Sequence, residues 1–98
     1  MAPAGTITLS IPGLLRPLTG DAEQLDIDVE AAAPLREILD TVAASFPVFN
    51  RRIRNETGAL RRYVNVYIAG DDVRGLGGLD APVGPGQEVL IIASVAGG

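Results

Sequence analysis

Glu88-Val89-Leu90-Ile91-Ile92-Ala93-Ser94-Val95 is the stretch on which the fold turns. A strand formed there is apolar on both faces, so it belongs in the middle of a sheet, covered on one side and contacted on the other. Working back along the chain, Gly75 to Gly86 is a Gly/Pro-rich crossing, with Leu76 and Leu79 as its expected anchors. Before it, residues 62–69 alternate, with Tyr63, Asn65, Tyr67 and Ala69 opposite Val64, Val66 and Ile68. Gly70-Asp71 marks a tight turn, and Asp72-Val73-Arg74 reads as a short return strand.

Two further alternating runs open the chain. Ile7, Leu9 and Ile11 share one face of residues 6–11, and Leu25, Ile27 and Val29 share one face of residues 24–29 with acids outward. Pro12-Gly13 ends the first run, and the stretch through Pro17-Leu18-Thr19-Gly20-Asp21 reads as an extended turn, which gives an antiparallel hairpin with a long loop. Pro34 stands where a first helical residue would, and Leu35, Ile38, Leu39, Val42 and Phe46 then keep the spacing of one buried helical face. Arg36, Glu37, Asp40 and Thr41 take the wet side, and Pro47 stops the helix near Ser45. Val48 to Gly58 is expected to make a second short helical turn, pinned by Phe49 and Ile53.

The predicted order is β-β-α-β-(β)-β. This is an α+β, β-grasp (ubiquitin-like) domain, a mixed four- to five-stranded sheet packed on one main helix. The last strand sits centrally, parallel to the first. Residues 1–98 are expected to form one domain, with 1–5 and 96–98 as flexible ends.

Composition narrows the function. Among 98 residues there is no Cys and no His, and all eight side-chain cations are Arg. That removes thiolate nucleophiles, the usual general base near neutral pH and the commonest metal ligand, while Arg does not act as a base. The chain therefore argues against an independent enzyme: no catalytic residue, metal ligand or cofactor is expected on it. A net charge of −4 argues against nucleic acid or an anionic membrane as partner. Met1-Ala2-Pro3-Ala4-Gly5 lacks the basic start and apolar centre of a signal peptide, so a cytoplasmic location is expected.

Beyond the apolar strand stands Ala96-Gly97-Gly98. A carboxylate carried on two residues without Cβ enters a channel too narrow for any side chain. The diglycine, together with Ile11-Pro12, Leu15-Arg16-Pro17, Thr19-Gly20, Arg62 to Ile68, Asp72-Val73-Arg74, Gly77-Gly78-Leu79 and Val95-Ala96, resembles the ThiS/MoaD family of ubiquitin-like sulfur carriers. The likeness covers nearly the whole chain and is closest to the CysO, or cysteine-biosynthesis, type. Many members carry Pro shortly before the tail, where this chain has Ala93-Ser94.

The resemblance implies that an E1-like enzyme, which itself binds ATP, adenylates the Gly98 carboxylate. A sulfur source then converts the adenylate to a thiocarboxylate, which hands its sulfur to a biosynthetic acceptor. For the CysO type the implied acceptor is a pyridoxal-phosphate-dependent cysteine synthase, with a metalloprotease later freeing the amino acid. Molybdopterin, thiamine or a sulfur-containing secondary metabolite are alternative destinations, and a protein modifier conjugated through Gly98 is another. Gly98 and Gly97 are then the sulfur-carrying end, and Ala96, Val95, Leu90, Ile92 and Ser94 the partner-binding residues. For Leu90, Ile92 and Ser94 the competing expectation is coverage by the protein's own loops.

Three other features receive plainer readings. The Arg cluster of Arg51, Arg52, Arg54, Arg61 and Arg62 reads first as a solvated face, with steering toward an acidic partner or nucleotide phosphates as the alternative. Asp71 and Asp72 read as a hairpin tip. Gly75, Gly77 and Gly78 read as turns, since they lack the strand-loop-helix setting and the Lys of a phosphate loop.

Overall fold

The computed structural model describes residues 5–94. Strand β1 (Gly5–Ser10) pairs antiparallel with β2 (Gln24–Val29) in a register that sets Ile7 opposite Ile27 and Leu9 opposite Leu25. A two-residue strand, β3 (Ala33–Pro34), leads into α1 (Leu35–Ser45), and α2 (Pro47–Ile53) begins after a single residue. Then come β4 (Val64–Ile68), β5 (Asp71–Asp72), β6 (Pro82–Val83) and β7 (Glu88–Ala93).

Five strands make one mixed sheet in the order β2-β1-β7-β4-β5, while β3 and β6 form a separate two-stranded ladder. The apolar run at residues 88–93 is therefore the central strand, as its composition requires. It lies parallel to β1 through residues 88–90 and antiparallel to β4 through residues 89–93.

The core lies between one face of this sheet and α1 with α2. Ile7, Leu9, Val66, Val89 and Ile91 meet Leu35, Ile38, Leu39, Phe49 and Ile53 there, all at most 2% exposed. Full burial of side chains of this size contributes about 1.5–3 kcal/mol each, against the entropy of ordering them. The four positions read as the wet side of α1 are all exposed.

Several boundaries differ from those expected. The long loop after β1 is a seven-residue 3-10 helix, Gly13–Thr19, that buries Leu15 and Thr19. Its three-residue turn brings side chains three apart onto one side, which matches Leu15 and the partly buried Leu18. Pro34 is extended (φ −66°, ψ 148°) and sits just before the helix instead of opening it. The Leu35 N–H donates to the Ala81 carbonyl at 2.9 Å, which ties this point to β6.

Asp72 ends the return strand at once, and Val73-Arg74-Gly75 curls into a 3-10 turn capped by the Asp72 carboxylate, which accepts from the Arg74 N–H at 2.9 Å. Leu79 packs against the core, but Leu76 does not anchor the crossing and is 40% exposed. Gly5, counted from the sequence with the N-terminal end, opens β1 opposite Val29. The expected ends 1–4 and 96–98, and Val95, lie outside the described residues.

Candidate functional site

The site is built where β7 runs out of strand neighbours. On the β1 side its ladder ends at the Ser10–Leu90 pair, because the Ile11 N–H donates to the Glu23 carbonyl (2.9 Å) and Pro12 turns the chain away. On the β4 side the ladder continues to the Val64–Ala93 pair, and the Ser94 N–H donates to the Tyr63 carbonyl at 2.9 Å. Residues 91–93 of β7 thus have a strand on one side only. The gap on the other side is a groove of about 550 Å³ lined by Ser10, Ile11, Pro12, Arg16, Glu23, Gln24 and β7 residues 90–93.

Arg16 forms the far wall. Its Nε donates to the Ile11 carbonyl at 3.0 Å, and its Nη1 lies 3.6 Å from Glu23 Oε1. The Thr19 hydroxyl, buried at 2% exposure, donates to the Arg16 carbonyl at 3.1 Å and so fixes the end of the same 3-10 helix. Sequence reasoning missed this wall. Its signal was the Leu15/Leu18 spacing, which a reading of the segment as a loop passes over.

Period-two alternation decides which side chains of β7 face out. Val89 and Ile91 point into the core, at 0% and 1% exposure, while Leu90 and Ile92 stand on the open face at 38% and 41%. Leu90 pairs with Tyr67 and Ile92 with Asn65 on β4, so the two aliphatic side chains are flanked by half-buried polar residues and not covered by a loop. Ser94 is exposed just beyond the strand. The structure therefore brings Leu90, Ile92 and Ser94 together, whereas Val95, Ala96, Gly97 and Gly98 lie outside the described residues.

Asp72 and Arg74 serve the fold. Asp72 holds Arg74 through its side chain (Arg74 Nη2 to Oδ2, 2.6 Å), and this hydrogen bond keeps its carboxyl below the usual carboxylate range. The same pairing raises the Arg74 guanidinium value. The pair stabilises a turn. Among the described residues no group of three or more acids forms a metal site, and no helix is long and apolar enough to cross a membrane.

Tyr63 does not share the open face with Tyr67. Lying before β4 begins, it packs against the core and its hydroxyl donates to the Arg52 carbonyl at 3.0 Å. Of the five clustered arginines, Arg54 is not solvated. It is 7% exposed and donates to Asn50 Oδ1 (2.7 Å) and Asp40 Oδ1 (2.8 Å).

Comparison with known proteins agrees with this layout. The ThiS family model matches residues 9–98. The sulfur carrier protein CysO of Mycobacterium tuberculosis (strain H37Rv) is 33% identical over 94 residues, covering 94% of this chain and 98% of that protein. A chain of the Amycolatopsis orientalis BexX/CysO complex superposes with a TM-score of 0.82 at 37% identity, covering 94% of this chain and 99% of that one. Small archaeal modifier protein 1 of Methanosarcina acetivorans shares the fold at 20% identity, with a TM-score of 0.78 over 98% of this chain and 99% of that one. Proteins of this kind are small carriers and not enzymes, which fits a chain without His, Cys or Lys. From the first strand through the final diglycine, this chain belongs to the ThiS family of ubiquitin-like sulfur carriers.

Proposed function

We propose that this protein carries sulfur as a C-terminal thiocarboxylate on Gly98, most directly for cysteine biosynthesis, and that it works in the cytoplasm. A carboxylate oxygen of Gly98 attacks the α-phosphorus of ATP bound by an E1-like adenylating enzyme, and pyrophosphate leaves. A sulfide sulfur then attacks the acyl carbon, AMP leaves, and the thiocarboxylate remains. The α-carboxyl group, with an ordinary value of about 3.5, is ionised at neutral pH and needs no base from this chain.

The observation that carries the reading is the family match, which runs on through residue 98 and so includes Gly97 and Gly98. Support for the partner-binding residues comes from Leu90 and Ile92, bare on the strand that leads to the tail. Exposed aliphatic side chains beside an unpaired stretch of strand suit a protein partner better than solvent. Cysteine as the destination rests on the likeness to CysO. A pyridoxal-phosphate-dependent cysteine synthase is then the acceptor and a metalloprotease the releasing enzyme.

Incubation with ATP, a ThiF-type adenylating enzyme and sulfide tests this by intact mass. The expected product is heavier by the replacement of one oxygen with sulfur, and deletion of Gly98 abolishes it. Ladders of larger conjugates in a cell extract would favour the protein modifier instead. No mass change with a competent enzyme would refute the carrier.

A further inference from the structure

Eight arginines face twelve carboxylates, yet the pairing is uneven. Arg16, Arg36, Arg54 and Arg74 pair with Glu23, Asp80, Asp40 and Asp72. Among the described residues the other four, Arg51, Arg52, Arg61 and Arg62, have no carboxylate within 4.0 Å. They are also neighbours. Arg51 and Arg52 occupy the last turn of α2, and Arg61-Arg62 is the turn that enters β4.

The two segments are fastened together through backbone groups. Arg61 Nε donates to the Arg51 carbonyl (2.7 Å), the Arg61 N–H to the Ile53 carbonyl (2.9 Å), and the Tyr63 hydroxyl to the Arg52 carbonyl (3.0 Å). Arg51, Arg52 and Arg62 are left with exposed side chains on a fixed base. Cations in the last turn of a helix offset its negative end, and that alone would account for Arg51 and Arg52. It does not account for Arg62, which belongs to another segment.

Position gives the cluster its meaning. The Tyr63 carbonyl, one residue beyond Arg62, is the group that holds the Ser94 N–H, so the cluster stands beside the point where β7 hands over to the tail. Several acids lie elsewhere. Asp26 and Asp28 are exposed on β2 at the other edge of the sheet, and Asp71 and Glu88 stand at the opposite ends of β4 and β7. Nearby, Asp40 is taken by Arg54, Asp72 lines one cleft with Arg61 and Arg62 but is taken by Arg74, and Glu56 lies in the same groove as Arg51 and Arg61 without pairing to either.

We propose that Arg51, Arg52, Arg61 and Arg62 form a second docking patch that steers the tail into its adenylating enzyme by pairing with an acidic surface beside that enzyme's channel. The inference rests on the reading of the chain as a sulfur carrier. The occupant is argued from the uncompensated positive charge of the patch and from its place beside Ser94, the last described residue before the tail. Guanidinium forks match carboxylates bidentately, and unpaired exposed charges act mainly on association rate.

The test is ATP–pyrophosphate exchange by a purified ThiF-type enzyme with the full chain, at about 25 mM and about 300 mM salt, concentrations between which the screening length falls severalfold. Arg51→Gln/Arg52→Gln/Arg62→Gln is expected to raise KM on the order of tenfold at low salt, with kcat unchanged and the difference collapsing at high salt. Because Arg51 and Arg52 bond through their carbonyls, the substitutions leave the fastening in place. The single Arg62→Glu should shift KM in the same direction even if the triple variant is poorly folded. Asp26→Asn/Asp28→Asn, on the far edge, should not raise KM. Equal KM values for wild type and both arginine variants, or an equal effect at both salts, overturn the patch while exchange by the wild type upholds the carrier. No exchange by the wild type overturns both. Salt-sensitive self-association in sedimentation, lost in Arg62→Glu, would assign the patch to a second copy instead and overturn the proposal.

Discussion

Arg54 Nη2 donates to Asp40 Oδ1 at 2.8 Å, tying the end of α2 to the middle of α1. The guanidinium is 7% exposed while the Asp40 side chain is 65% exposed, so a buried cation is held by an anion that still sees water. Removing either partner is therefore not equivalent.

Asp40→Ala leaves Arg54 buried with only Asn50 to accept from it, and should cost about 1–2 kcal/mol. Arg54→Met keeps the packing of the stem, abandons only an exposed carboxylate, and should cost less than about 1 kcal/mol. Urea denaturation of both variants decides it. A larger loss for Arg54→Met would mean that the charge itself, and not its burial, organises the helix junction.

Asp72 should titrate below the ordinary carboxylate value of about 3.9, because Arg74 donates to it from both side chain and backbone. The folded value lies below the unfolded one, so the stabilisation is present above pH ~4 and is lost as pH falls through the folded value. Carboxyl carbon shifts tracked by NMR should show a depressed midpoint that moves upward in Arg74→Ala. An unchanged midpoint in that variant would show that another group sets it.

Ala69 has φ +50° and Gly70 φ +89°, so the β4–β5 hairpin turns through two left-handed residues, one of which bears a Cβ. Only Gly adopts that region without strain. Ala69→Gly should raise stability by roughly 0.5–1 kcal/mol after the entropy of the unfolded glycine is counted, and Tm by about 2–8 °C. Thermal unfolding by circular dichroism measures it, and a fall in Tm would contradict the strain.

Leu90→Glu and Ile92→Glu alter side chains that are 38% and 41% exposed. Each should change folding stability by less than about 1 kcal/mol, since neither contributes to the core. If the open face docks the adenylating enzyme, each should lower kcat/KM for exchange by about tenfold or more, the effect of one well-placed interface residue. Unchanged exchange in both variants would remove this face from the interface.

The architecture was legible because its deciding strand carries a pattern with few solutions. A run apolar on both faces has to be central, and alternation in three other runs fixed which side of each strand meets α1 and α2. The parallel pairing of β1 with β7 came with that placement. Less legible were features set by tertiary hydrogen bonds. The bond from the Leu35 N–H to the Ala81 carbonyl holds Pro34 in the β3–β6 ladder ahead of α1, and Asp72 as a cap replaces expected strand with a 3-10 turn. Arg54 looks like its neighbours in the sequence. Only the position of Asp40, fourteen residues earlier, shows that it is buried and paired. Of the candidate site, alternation exposed Leu90 and Ile92, but the Arg16 wall and the fastening of Arg61 to Arg51 depend on backbone carbonyls that no residue type announces.

The place of β7 between β1 and β4 also bears on how the protein is made. The first strand waits for the last, since closing the sheet requires residues 88–93 to come between β1, at the start of the described chain, and β4. A ribosome-bound or prematurely terminated chain that stops short of Glu88 lacks the middle of its sheet, and such long-range closure comes late in folding. Any copy that has closed its sheet has therefore been translated through its central strand.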